Sequence, residues 1–266
     1  MSNKVVKRKE PFVEKMATKI CQEIPDIDNP YIAKEMRLHG YDLIALMQKK
    51  SFIEVLLLLF KGELPSKEEV QLLEQLMIAL INPGPRHPAT RAAINAGVGK
   101  TEITHILPIS LSILSGTHLG AGEIQESMTF LRKNKKKDPF DLVQKQLENK
   151  PKEAGDWHIS AGFGSRFGGI DIIPNQIAEK LLLLSASNPV IHWANTYAQA
   201  LRPFNMGWLT TGLAAAVFTE IGIRPTQAIG LFQIICSPGL LAHGVEFSNK
   251  PLTDFPFTSD ENYVVK

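Results

Sequence analysis

Cysteine is scarce in this chain, and long apolar runs are missing. Cys21 and Cys236 are the two cysteines among 266 residues, too few for a disulfide framework. No charged-then-apolar leader ahead of a cleavage site is read near the N-terminus, so a reducing cytoplasm is the expected compartment. The longest uninterrupted apolar stretch, Val55 to Phe60, falls far short of the roughly 20 residues that a spanning helix needs, and no membrane association is expected. Charge of one sign is lacking too, with 29 Lys and Arg against 27 Asp and Glu and a formal net charge of +2. That balance gives no general pull toward nucleic acid, and a phosphate-bearing ligand would need only a local basic patch. Seven histidines and two cysteines show no zinc spacing, so no metal is expected.

Strand-like alternation is almost absent, and what is present is helical periodicity. Phe52, Val55, Leu56, Leu59 and Phe60 recur at helix spacing, with Gly62 as a stop. Ser66-Lys67-Glu68-Glu69 reads as an N-cap with a Glu at the third helical position, opening a helix through Leu72, Leu73, Leu76 and Leu80 that Asn82-Pro83-Gly84-Pro85 ends. Further apolar helices are expected over Arg91–Ala96, Ile103–Leu114, 176–201, 208–221 and Pro225–Leu241. Lys133, Lys135, Lys136 and Lys137 before Asp138-Pro139 read as a solvated helix end. The class expected is all-α. Gly97-Val98-Gly99-Lys100-Thr101 is no phosphate loop, because Ile94 stands where its first glycine belongs, and Gly162-x-Gly164 lacks the third glycine of a dinucleotide fingerprint.

Several short strings carry more. Thr117-His118-Leu119-Gly120-Ala121-Gly122-Glu123 is succeeded by Gly162-Phe163-Gly164-Ser165-Arg166-Phe167, then Leu209-Thr210-Thr211-Gly212, then Gly239-Leu240-Leu241-Ala242-His243-Gly244-Val245-Glu246. With the hydrophobic helix ending in Gly62-Glu63-Leu64-Pro65, their order resembles the citrate synthase and citryl-CoA lyase superfamily, over roughly residues 38 to 250. The resemblance implies a two-lobed helical fold: an N-terminal arm over 1–15, a large helical domain from 16–124 and 206–266, and a small helical domain from 125–205. It also implies a homodimer, a coenzyme A thioester as substrate with no covalently bound cofactor, and a small oxo- or hydroxy-acid as second substrate.

The same resemblance assigns roles. His118 takes the place of the catalytic histidine of the family's His-Gly-Gly-Ala string, where it would donate a hydrogen bond to the thioester oxygen as an enolate forms. Ser165 stands where the family has the histidine that polarises the ketone, and serine carries no charge near neutral pH. Thr211 stands where the family has the aspartate that removes the methyl proton, and threonine is no general base. Gly162, Gly164 and Arg166 match the family's Gly-Phe-Gly-His-Arg, with Arg166 able to meet a carboxylate. His243 matches the closing Ala-His. Pro83 replaces a substrate-binding histidine, with His87 four residues on as a substitute or as a surface residue. Cys236 replaces a carboxylate-holding arginine and reads as a buried filler. Together these positions imply an acyl-CoA enzyme that makes or cleaves a carbon–carbon bond; the alternative is a homologue that binds acyl-CoA, or serves as a partner subunit, without turnover.

Overall fold

The computed structural model describes residues 12–148, 157–184 and 188–265; most of the arm expected over 1–15 lies outside them. The chain divides into two compact units between Pro65 and Ser66.

The first unit opens with a small antiparallel sheet, β1 (Cys21–Pro25), β2 (Ala33–Leu38) and β3 (Tyr41–Asp42), in that order. His39 and Gly40 join β2 to β3 with φ of 46° and 87°. Two successive left-handed residues make the primed turn whose twist suits a hairpin. Asp42 then caps α1 (Leu43–Lys49) by accepting from the Ala45 amide at 2.8 Å. Ser51 and Glu54 form a capping box at the start of α2 (Phe52–Lys61), and Gly62 closes it at φ 82°, as the sequence predicts.

The second unit is built of helices. α3 (Lys67–Leu80) starts with the Ser66–Glu69 capping box read from the sequence. α4 (Pro88–Val98), α5 (Ile103–Leu114), α6 (Ala121–Asn134) and α7 (Pro139–Glu148) come next. A second three-stranded sheet joins β4 (Trp157–Ser160), β5 (Phe163–Ser165) and β6 (Gly207–Trp208), all antiparallel. Between β5 and β6 lie α8 (Ile172–Leu182) and α9 (Pro189–Leu201), and α10 (Thr210–Glu220) and α11 (Pro225–Ser248) complete the unit.

α10 is the core helix: Thr211 through Phe218 are all buried, against α6, α9 and α3. α11 lies on α4, α5 and α6. It approaches α4 so closely that a Cβ on Gly97 would sit 2.2 Å from the Gly244 carbonyl oxygen, so only glycine fits. By length and composition alone α11 could cross a membrane, although small and polar residues interrupt its apolar run and hide that property in the sequence. Here Leu231, Phe232, Ile235 and Leu240 on it are buried within the unit. An aromatic cluster ties the small sheet to α9: Phe163 of β5 meets the Tyr197 ring edge-on at 5.0 Å and the Trp208 ring at 4.8 Å, and Trp193 stacks on Tyr197.

The single helix expected over 176–201 is two. Asn188-Pro189 opens α9, with the Val190 and Ile191 amides donating to Glu220 Oε2 at 2.8 and 3.0 Å. A carboxylate thirty residues away does the capping. α11 runs seven residues past the expected end at Leu241, and both sheets are additions to the all-α expectation, which the helical architecture otherwise meets.

Candidate functional site

Five segments converge on one cavity of about 220 Å³ in the second unit. The helix bodies supply apolar wall: Leu80 of α3, Ile173 and Ile177 of α8, Phe232 of α11, and the Cys236 thiol. Loops and helix starts supply the polar groups: Asn82, His87, Arg166, Asp171 and Thr210. Three helices, α4, α8 and α10, therefore begin at this cavity, and α8 and α10 have no side-chain cap, which leaves the positive ends of their dipoles at the cavity.

Arg166 leaves β5 and is held by Asp171, the residue that opens α8, with Nη1 to Oδ2 at 3.1 Å. Its Nε is buried and has no partner. The Asp171 ion pair thus fixes the guanidinium in the lining of the cavity.

His87 corrects the surface alternative. It is 7% exposed, and both ring nitrogens are engaged: Nδ1 accepts from the Ala89 amide at 3.1 Å, capping α4, and Nε2 faces the Leu119 carbonyl at 3.2 Å. An acceptor at Nδ1 and a donor at Nε2 define a neutral imidazole. Burial holds its pKa below the ordinary 6.5, the Leu119 bond opposes this, and the charges of Arg166 and His118 add to it. Committed on both sides, His87 braces the wall of the cavity.

The Leu119 carbonyl it holds belongs to the α5–α6 turn. Leu119 is left-handed at φ 53°, where the family string has glycine. This places Leu119 in the wall of the cavity and His118 on an adjoining open cleft with Glu123, Glu126, His158 and Ser160. The His118 and His158 rings lie 6.2 Å apart. Glu123, 4% exposed, sits in the first turn of α6, where the helix dipole favours a carboxylate. Its Oε1 accepts from the Gly162 amide at 2.8 Å and lies 3.7 Å from His158 Nε2, while Oε2 is buried without a partner. His158, from β4, is a residue that motif reading misses. A signal was present, since it lies seven residues before Ser165 on a strand paired with the Gly-Phe-Gly-Ser string.

Ser165 and Thr211 do not join either group. Ser165, on the other side of β5 from Arg166, faces a separate cleft with Trp157 and Asn205. Thr211 is fully buried and its Oγ1 has no partner, while its neighbour Thr210 reaches the cavity. Gly162 and Gly164 have backbone roles: a Cβ on Gly162 would meet Gly212 Cα at 2.5 Å, and one on Gly164 would meet the Trp157 carbonyl oxygen at 1.9 Å. His243 is bonded to Asn82 at 3.2 Å, from the C-terminal part of α11. Cys236 is a buried thiol whose pKa is pushed up to about 12 by burial, so it is filler and not a nucleophile at neutral pH.

No protein-family model matches the chain, and no curated protein sequence matches it. Among solved structures, citryl-CoA lyase from Hydrogenobacter thermophilus superposes with a TM-score of 0.74 over 94% of this chain and 94% of that one, at 23% identity. This chain has the citrate synthase and citryl-CoA lyase fold. An ATP citrate lyase from Methanosaeta concilii, solved with (3S)-citryl-CoA, shares that fold at a TM-score of 0.69 and 15% identity, covering 95% of this chain but 43% of the longer one. Citrate synthase from Thermoplasma acidophilum, solved with carboxymethyl coenzyme A and oxaloacetate, gives 0.59 and 21%, over 81% of this chain and 57% of that one. The citrate-synthase-like fold thus brings the motif segments together.

Proposed function

We propose that the protein takes an acyl-CoA thioester in the His118 cleft, enolises it, and makes or cleaves a carbon–carbon bond to an oxo-acid held in the adjoining cavity. The observation that carries this reading is the pair of imidazoles, His118 and His158, 6.2 Å apart over one cleft with the buried Glu123 carboxylate behind His158. His118 donates a hydrogen bond to the thioester oxygen as charge builds there. His158 accepts the proton. The α C–H bond breaks, its electron pair enters the enolate, and the proton goes to the ring nitrogen opposite Glu123, whose carboxylate meets the imidazolium that results. The enolate carbon then attacks the ketone carbon, the C=O π pair moves onto that oxygen, and the alkoxide takes through water the proton that His158 carries; in the cleavage direction each transfer runs backward. This restores to the site a proton acceptor that Thr211 cannot be.

A second reading, a thioester binder without turnover, is favoured by one observation: Ser165 and Thr211 reach neither His118 nor the cavity. Incubating the protein with acetyl-CoA in deuterium oxide separates the two, because exchange of the methyl hydrogens needs no second substrate. Exchange is expected with the wild type, and His158→Ala should slow it by about 10²-fold or more. Bound thioester without exchange supports the second reading, and no binding removes both.

The proposal includes a homodimer. Ile103, Ile109 and Ile113 leave an apolar stripe of α5 exposed at 54%, 40% and 48%, a surface that a two-fold partner would cover. It also includes the lobe division expected from the sequence, with residues 125–205 as the small lobe.

A further inference from the structure

We infer that the cavity selects a 2-oxo-monocarboxylate with a short aliphatic chain, and rejects the dicarboxylate of the same length. This rests on the thioester reading and names the second substrate class of the same site.

Among the described residues of its lining, Arg166 is the one permanent cation, and Asp171 at 3.1 Å already balances its charge. The remaining imidazole, His87, is neutral and spends both nitrogens on the backbone. The position where the family keeps a carboxylate-holding arginine is the uncharged Cys236, and the one where it keeps a substrate-binding histidine is Pro83; both line the cavity. A first carboxylate has a place: the Arg166 guanidinium where it lines the cavity, with the uncapped start of α10 at Thr210 in the same lining. A second would meet either the Asp171 carboxylate or hydrocarbon from Ile173, Ile177, Phe232 and Leu80. A buried charge with no partner is strongly disfavoured, whereas a methyl or ethyl group gains from the same walls. Size agrees, because about 220 Å³ lies below the roughly 300 Å³ at which drug-sized pockets begin.

The matched pair that tests this is 2-oxobutanoate and oxaloacetate, which have the same carbon count and differ by a terminal methyl against a carboxylate. Binding of each to the full chain is measured by titration calorimetry and by ligand-observed NMR, with no thioester present. Wild-type protein should hold 2-oxobutanoate at least about tenfold more tightly. Asp171→Asn should narrow that gap by strengthening oxaloacetate, and Arg166→Leu should lose both ligands while circular dichroism shows the helices intact. Equal affinities, a reversed order, or binding of neither acid overturns the inference, as does an Asp171→Asn variant whose preference is unmoved. The thioester reading is judged separately by hydrogen exchange in acetyl-CoA, so either can fail while the other stands.

Discussion

The cavity around Arg166 and the cleft around His118 meet at the α5–α6 turn and differ in nearly every other respect. The cavity is enclosed by helix bodies, its one guanidinium is neutralised by Asp171, and its histidine is locked. The cleft is open and polar, with two imidazoles and the carboxyls of Glu123 and Glu126. On the proposed function, the first discriminates by shape and by intolerance of charge, and the second moves a proton. In the Thr117–Glu123 segment a single residue step separates them: Leu119 faces the cavity and His118 the cleft.

That division is open to direct attack. His118→Ala should depress hydrogen exchange from the acetyl methyl by about 10²–10³-fold, the loss expected when one donor to a developing oxyanion is removed, while leaving 2-oxobutanoate affinity unchanged; a parallel loss of both would merge the two regions into one. Phe232→Ala acts from the other side. The ring is 3% exposed and lines the cavity, so its truncation should lower stability by about 3 kcal/mol, read from the denaturant midpoint, and weaken the oxo-acid without altering exchange.

His87→Gln sharpens the boundary between them. Because the native pKa lies below the unfolded 6.5, the unfolded chain binds the extra proton first, so wild-type stability is full above about pH 6.5 and declines as the pH falls beneath it toward the native value. Thermal melts at pH 5 and pH 7 should show that decline, and the variant should lack the part due to His87 while losing about 1–2 kcal/mol at pH 7 from its broken bonds. The smallest effect is expected at Cys236: in a Cys21→Ser background, which removes the more exposed free cysteine, native protein should resist iodoacetamide at pH 8, since the Cys236 thiol is buried and its pKa is pushed up to about 12. Rapid labelling would mean that the cavity opens more widely than its walls imply.

Helices were legible wherever local chemistry decides them. The Ser66–Glu69 box, the Gly62 stop and both ends of α5 are found where the sequence predicts them, because caps and periodicity act within a few residues. What was illegible depends on distant partners. β1 and β2 contain no clear alternation and exist through pairing with each other, and the break before α9 is fixed by Glu220 from α10, although Pro189 at the first helical position was a local hint. In the site, the motif strings located the segments correctly but not the directions of their side chains. Strand alternation sends Ser165 and Arg166 of one string to opposite sides, and one helical position separates the cavity-facing Thr210 from the entombed Thr211. His158 belongs to no string, so only the folded chain brings it to His118.

Leu119 binds two properties of this protein into one choice. A non-glycine residue at φ 53° costs about 1–2 kcal/mol, and burying its side chain returns roughly 1.5–3 kcal/mol. Glycine there would relax the backbone yet delete the hydrocarbon. Aim of the imidazole next door and breadth of the acid chamber are therefore not independent adjustments, and any redesign that enlarges the chamber at this residue will also loosen the hinge that points His118.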